Sequence, residues 1–522
     1  MTVISLLISA LTSAFSRAKL RTITDLPPLL NLTIESAAEG LQSGLFTSVD
    51  LVTAYLARIE EASEFNAVLE VNQQAIDAAH RLDEERKASG SRGPLHEIPI
   101  LVKDNIATQD NLQCSAGSYA LLGAKPTVES SVISKLRQAG AIILGKTNMS
   151  EWANFRGQNI SAGWSPRGGQ TLGTYYAHSR SDGSSAGSAV ATALELSVAA
   201  LGTETWGSIV DPAEIQNVVG LKPSRGLIGT DGAVPISKGQ DVIGPLTRTV
   251  KDAAYMLNSW PSTDLTGITI GILRSCFNKD PKSALMTSFE SAMGILRSAG
   301  AKVVDNANFP AVDEFLKLSS EERGYVRTAD FKRDIAAYLQ SLETNPNNLY
   351  SLDEIINFTK SSHLEGYPEQ DIGNFLLSQS AVFDVDSEDY TRHAEKEQYF
   401  GGDGGILGAM KQHGLDVFVV PSTIGVATDL ASKMGFPLIS VPLGFWPEGT
   451  PVQIEDKKEG HVSGGPGIPY CLAFGTKAFS EDELLQVAYA FEQLSKVCTK
   501  GPLPYHAPKT ELKDVQKTGQ KI

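Results

Sequence analysis

Cysteine is scarce in this chain and histidine is scattered. The four cysteines, Cys114, Cys276, Cys471 and Cys498, form no Cys-x-x-Cys pair, which argues against a zinc site or a disulfide framework. The eight histidines include no His-x-x-x-His and no His-Glu-x-x-His, so a histidine-based metal site has no local support. No dense Lys/Arg run is present, and 45 basic against 60 acidic residues leave a net charge of −15. A chain this acidic is repelled by phosphate backbones, so direct nucleic-acid binding is not expected. No uncharged apolar run approaches the ~20 residues needed to span a bilayer. What is present is ordinary globular composition, 42% hydrophobic and 20% charged, which is enough for a packed core.

The first 30 residues form an apolar segment and linker. Residues 3–15 are apolar and are followed, not preceded, by Arg17, Lys19 and Arg21. Two readings stay open: a secretory signal within residues 1–18, or an apolar helix lying on the body. Asn31, Asn148, Asn159 and Asn357 begin formal glycosylation triplets, but such triplets arise by chance. The compartment, cytoplasmic or secreted, is therefore left open.

Beyond this segment, helical and strand patterns alternate. Thr47-Ser48 opens a helix with Leu51, Val52, Tyr55, Leu56 and Ile59 on one face. A second helix is expected over 73–87, before Gly90. Strands are expected over 97–102 and 141–144, with a helix over 130–138 between them. A helix over 186–196 and strands over 197–201, 265–273, 301–304, 417–420 and 438–441 continue the pattern. This alternation predicts an α/β protein: one large α/β/α sandwich with a mixed, mostly parallel sheet covered by helices. The single catalytic domain is assigned to 31–500. Within it, 311–400 reads as an inserted helical layer with no strand signal, shaping the substrate pocket. Ser480-Glu-Asp-Glu483 reads as a capping box, and 501–522 as a loose polar tail.

Two glycine-serine segments carry the chemistry. One is Asp182-Gly-Ser-Ser-Ala-Gly-Ser188, the other Gly202-Thr-Glu-Thr-Trp-Gly-Ser-Ile209. Small residues allow sharp turns and close approach to a ligand, and free backbone N–H groups to hold an anion. The plainer alternative is a pair of ordinary glycine-rich connections. The first segment also fits Gly-x-Ser-x-Gly, which would make Ser185 the nucleophile of a strand–turn–helix elbow with His461 or His506. The polar residues before it are not strand-like, which counts against that reading. Lys103 ends an apolar strand. There, burial lowers the pKa of an ammonium and yields a usable base, and a serine beside such an amine is an activated nucleophile. The alternative is a snorkelling lysine paired with Asp104.

These residues, in this order and spacing, resemble the amidase signature family of Ser-Ser-Lys hydrolases. The resemblance rests on Gly93-Pro-Leu-His-Glu-Ile-Pro-Ile-Leu-Val-Lys103-Asp-Asn-Ile, Gly145-Lys-Thr-Asn-Met-Ser-Glu-Trp152, Gly183-Ser-Ser-Ala-Gly-Ser188 and Ala200-Leu-Gly-Thr-Glu-Thr-Trp-Gly-Ser-Ile209. Val219-Gly-Leu-Lys-Pro-Ser224 and Gly244-Pro-Leu-Thr-Arg-Thr-Val-Lys-Asp252 extend it. The texture is most similar to stand-alone fungal and bacterial amidases. The resemblance implies hydrolysis of a small-molecule amide without metal or cofactor. It implies Ser208 as nucleophile, Ser184 as the bridging serine held by a cis peptide bond, and Lys103 as base. It further implies an oxyanion hole from the N–H groups of Thr205, Trp206, Gly207 and Ser208. Ser185 and Asp241 would be supporting residues.

The chain departs from the family pattern at four positions. Asp182 and Ala186 stand where glycines are usual, Trp206 where glycine is common, and Val210 where many members have arginine. The indole should narrow the pocket, so retained catalysis with restricted substrates is expected. Two alternatives share the fold: acyl transfer with partner subunits and charged tRNA, and a non-catalytic scaffold.

Overall fold

The computed structural model describes residues 26–519, apart from 278 and 456–459. The expected signal or apolar helix at the N-terminus lies outside the described residues. Among the described residues, no helix is long and apolar enough to cross a membrane.

Eleven strands form one sheet. In chain order they are β1 (Val68–Val71), β2 (Pro99–Lys103), β3 (Ile142–Thr147), β4 (Ala199–Glu204), β5 (Val219–Lys222), β6 (Val242–Thr247), β7 (Thr269–Ile272), β8 (Lys302–Val304), β9 (Val417–Val420), β10 (Leu438–Phe445) and β11 (Pro469–Gly475). Their order across the sheet is β1-β3-β2-β4-β6-β5-β10-β11-β9-β7-β8. Strands β2, β3, β4, β5, β6, β9 and β11 are buried along their whole length, so the sheet is covered on both faces.

The sheet is mixed as expected, but parallel pairing is confined to its flanks, and antiparallel pairs outnumber parallel ones six to four. Trios β3-β2-β4 and β9-β7-β8 pair in parallel. The centre, β4-β6-β5-β10-β11-β9, is antiparallel throughout, as is β1 against β3 at the edge. The parallel trios are the αβ alternation seen in the sequence. The antiparallel centre comes largely from β5, β6 and β11, which glycine, proline and lysine disguise.

Three further expectations are corrected. The 311–400 layer is helical, chiefly Ser320–Gln340, Leu352–Ser361, Gly373–Gln379 and Glu388–Gly401, yet it contains a strand. Leu342–Thr344 pairs with Lys125–Pro126 and fastens the layer to the body. The capping box at Ser480 does not form, because the Ser480 side chain makes no cap bond. Instead Ser224 serves this helix start, its N–H donating to Glu481 and its hydroxyl accepting from the Phe479 N–H. The tail is not loose. Arg58, 2% exposed, donates to the carbonyls of Pro508 and Thr510, and helix Leu512–Gly519 seats Leu512 in the core of the β1–β4 flank.

Helices Ser48–Glu61 and Ala75–Ser89 cover one face of that flank. The first starts with a true capping box between Thr47 and Asp50. Helices Ala284–Ser298 and Glu481–Ser495 cover the other half of the sheet. A separate apolar cluster, containing Trp152, Phe155, Phe331 and Phe375, lies beneath the 311–400 layer.

Candidate active site

Strands β2 and β4 run parallel and end side by side. Ligand sites in α/β sheets form outside such carboxyl ends. Lys103 is the last residue of β2 and is fully buried. Its Nζ lies within hydrogen-bond distance of Ser184 Oγ at 2.7 Å, Ser185 Oγ at 2.9 Å, Thr203 Oγ1 at 2.9 Å and the Thr203 carbonyl at 3.1 Å. Asp104 is not its partner: that carboxylate accepts from Ser115 Oγ and the Gly117 N–H and faces Arg167. The snorkelling alternative therefore fails. Burial pushes the Lys103 amine well below its ordinary value, against the opposing pull of Glu204 and Asp241. Burial of this kind favours the neutral amine over the ammonium.

Ser184 and Ser185 directly precede helix Ala186–Ala193, and the Gly183–Ser184 peptide is cis. Gly183 is required for space, since a Cβ there would collide with Ser150 Oγ. The Ser184 carbonyl accepts from the Ser150 N–H at 3.1 Å, and the Ser185 N–H donates to the Ser208 carbonyl at 3.0 Å. Ser185 Oγ is buried and donates to the Thr203 carbonyl at 3.1 Å. No imidazole joins it. His506 pairs with Glu64 and His461 faces Glu455, so the elbow reading has no base.

The second glycine-serine segment turns from β4 into helix Val210–Ile215. Gly207 sits at φ +72°, and a Cβ there would run into the Asp211 carboxyl. Glu204 accepts from the Ile209 N–H at 2.7 Å and the Val210 N–H at 3.1 Å, which holds the turn from behind. Asp241 holds it from the side, accepting from Thr205 Oγ1 at 2.5 Å and from the N–H groups of Ile236 and Ser237 at 2.8 and 3.1 Å. Burial raises the Asp241 carboxyl to about 7.

Gly183, Thr205, Trp206, Ser208 and Asp211 open onto one cavity of about 870 Å³. The helical layer contributes Ser320, Gly324, Arg327 and Phe383 to its opposite wall. Trp206 is 47% exposed, and Arg327 lies over its ring with 5.3 Å from guanidinium to centroid. Val210 is in the core. Asp182 pairs with Arg180 at 3.0 Å, and burial raises its carboxyl to about 6.

Of the expected site residues, Thr205, Trp206 and Ser208 line the cavity; Lys103, Ser184 and Ser185 are buried and reach it through the Ser185 N–H bond to the Ser208 carbonyl, and Asp241 through Thr205. Sequence reasoning missed Thr203, Asn105, Glu204, Asp211 and Arg327. Thr203 and Glu204 lie inside a quoted motif, where their neighbours drew the attention. Asn105 donates to Thr203 Oγ1 at 3.0 Å and so holds the lysine's acceptor. Arg327 lies in the helical layer, which carried no motif.

Fold and cavity together define an α/β protein with its candidate site at the carboxyl ends of parallel strands. A family model described as Amidase matches residues 50–264. An amidase-named protein of the fungus Arthroderma benhamiae is 36% identical over 94% of this chain and 90% of its own length. One from Arabidopsis thaliana is 34% identical over 89% of this chain and 90% of its own. The crystal structure of native peptide amidase from Stenotrophomonas maltophilia superposes with a TM-score of 0.78 at 33% identity, covering 91% of this chain and 98% of that one. The chain belongs to the amidase signature family and is an amidase-type hydrolase.

Proposed function

We propose that this protein hydrolyses carboxylic amides through an acyl-enzyme on Ser208, with Lys103 as base acting through Ser184. The observation that carries this reading is the fully buried Lys103 amine, 2.7 Å from Ser184 Oγ, beside a cavity that Ser208 lines. Neutral Lys103 takes the proton of Ser184 Oγ, and Ser184 takes that of Ser208. Ser208 Oγ bonds to the amide carbonyl carbon. The developing oxyanion is held by the N–H groups of Thr205, Trp206, Gly207 and Ser208, each such donor being worth roughly 10²–10³ in rate. The C–N bond then breaks, and the departing nitrogen receives the proton that Lys103 holds. Water attacks the ester by the same relay, releasing the acid and restoring Ser208. Ser185 and Thr203 orient Lys103, and Asp241 braces the oxyanion turn. Peptide amides are the proposed substrate class, supported by the likeness to peptide amidase across nearly the whole chain and by a cavity larger than a small amide needs.

The test is fluorophosphonate labelling with peptide mapping. The label is expected on Ser208, absent in Ser208→Ala, slowed at least ~10²-fold in Lys103→Ala, and kept in Ser185→Ala. A label on Ser185, or full labelling of Lys103→Ala, would overturn the assignment.

A further inference from the structure

Arg327 belongs to helix Ser320–Gln340 and lines the same cavity as Ser208. The residue is half-buried, and its guanidinium lies over the Trp206 ring, 5.3 Å from the centroid. A guanidinium in a cation–π contact still carries N–H donors for hydrogen bonds. Among the described residues no carboxylate lies within ion-pair distance of it. The acidic groups around it are otherwise disposed. Glu397 feels its charge but is held by Lys433 at 3.0 Å. Burial pushes the Asp211 carboxyl well above its usual range, towards the neutral form. Glu321, six residues earlier on the same helix, lines the same cavity but is exposed to solvent. A guanidinium cannot shed its charge, so a half-buried one on a cavity wall gains from an incoming anion.

We infer that Arg327 is a carboxylate-binding residue of the substrate cavity, and that the preferred substrate is a peptide amide whose acyl part carries an acidic side chain. The inference rests on the proposed amide hydrolysis. For a terminal carboxamide the leaving group is ammonia, so the rest of the cavity contacts only the acyl part. Trp206, the odd residue of the oxyanion turn, acquires a purpose as the platform that aims the guanidinium. Such a charged pair is bidentate and specific in a way a lysine does not reproduce.

The full-length enzyme is assayed on N-acetylated glutamic acid α-amide, glutamine α-amide and lysine α-amide. The first two are isosteric. The acidic substrate is expected to exceed the neutral one by ~10-fold or more in kcat/KM, mostly through KM, with the lysine substrate poorest. In Arg327→Gln the acidic-to-neutral ratio falls to near one, and Arg327→Lys keeps part of it. Equal wild-type rates, or a ratio that survives in Arg327→Gln while overall activity drops, would overturn the inference. Calorimetry with glutarate separates it from the hydrolytic reading. Saturable binding weakened ~10-fold or more in Arg327→Gln supports the subsite even if no amide is turned over. Equal binding by both proteins counts against it.

Discussion

Thr203 is the least conspicuous residue of the site and one of the most constrained. Its Oγ1 accepts from both Lys103 and Asn105, and both donors are buried. Thr203→Val keeps the shape and removes the acceptor. Hydrogen bonds to an ammonium favour its charged form. Losing one should therefore lower the Lys103 pKa further, and the acidic limb of the kcat/KM profile should move to lower pH. A buried donor left unmatched costs about 1–3 kcal/mol, which sets an expected loss of roughly 5- to 150-fold at the optimum. An acidic limb that stays in place in Thr203→Val would show that another group controls it.

Among the elements, a buried cation helps to join the helical layer to the segment that follows β3. Arg156 is fully buried and donates to Glu151 at 2.5 Å and Glu365 at 3.2 Å, and to the carbonyls of Gln370 and Asp371. Glu365 in turn accepts from Ser118 Oγ and the Tyr119 N–H, both at 2.8 Å. Arg156→Met leaves two carboxyls facing each other without a cation, a change that costs about 3–5 kcal/mol when buried pairs are broken. Hydrogen exchange should show the loss over 352–379 while β2 and β4 keep their protection; a uniform loss would mean that layer and sheet open together. This joint was invisible in the sequence, because its partners are separated by 5 and 209 positions and follow no motif. Periodicity revealed the strands that alternate with helices. It passed over β5, β6 and β11, whose Val-Gly-Leu-Lys, Val-Ile-Gly-Pro-Leu-Thr and Pro-Tyr-Cys-Leu-Ala-Phe-Gly texts break the apolar runs. The candidate site residues stood out more than the sheet did. Ser184 and Ser208 sit in contiguous small-residue motifs and Lys103 ends an apolar run, whereas Arg327 is a lone cation on a helix of the inserted layer.

Over the whole molecule, burial raises a set of carboxyls in the same direction. Asp182 is raised to about 6, Glu97, Asp241 and Asp252 to about 7, and Glu492 to about 8. Each holds a proton in the folded state that the unfolded chain has released. Stability contributed by such groups is complete below about pH 4 and declines as pH rises towards 8. Lys222, lowered to about 8, acts only above that window, where the unfolded chain keeps its proton longer. The thermal midpoint is therefore expected to drop by several degrees between pH 5.5 and 7.5. Scanning calorimetry in matched buffers checks this, and a midpoint that rises over the interval would contradict it. The seat of Leu512 has a further consequence, one of timing. The core of the β1–β4 flank, built from residues 29–243, is sealed by a side chain near the end of the chain. A ribosome that has finished those four strands still has most of the protein to make before that core can close. A premature stop or a proteolytic nick ahead of Pro508 would be felt 450 residues upstream: Arg58 would lose two of its acceptors, and a vacant hollow would stand beside the first helices.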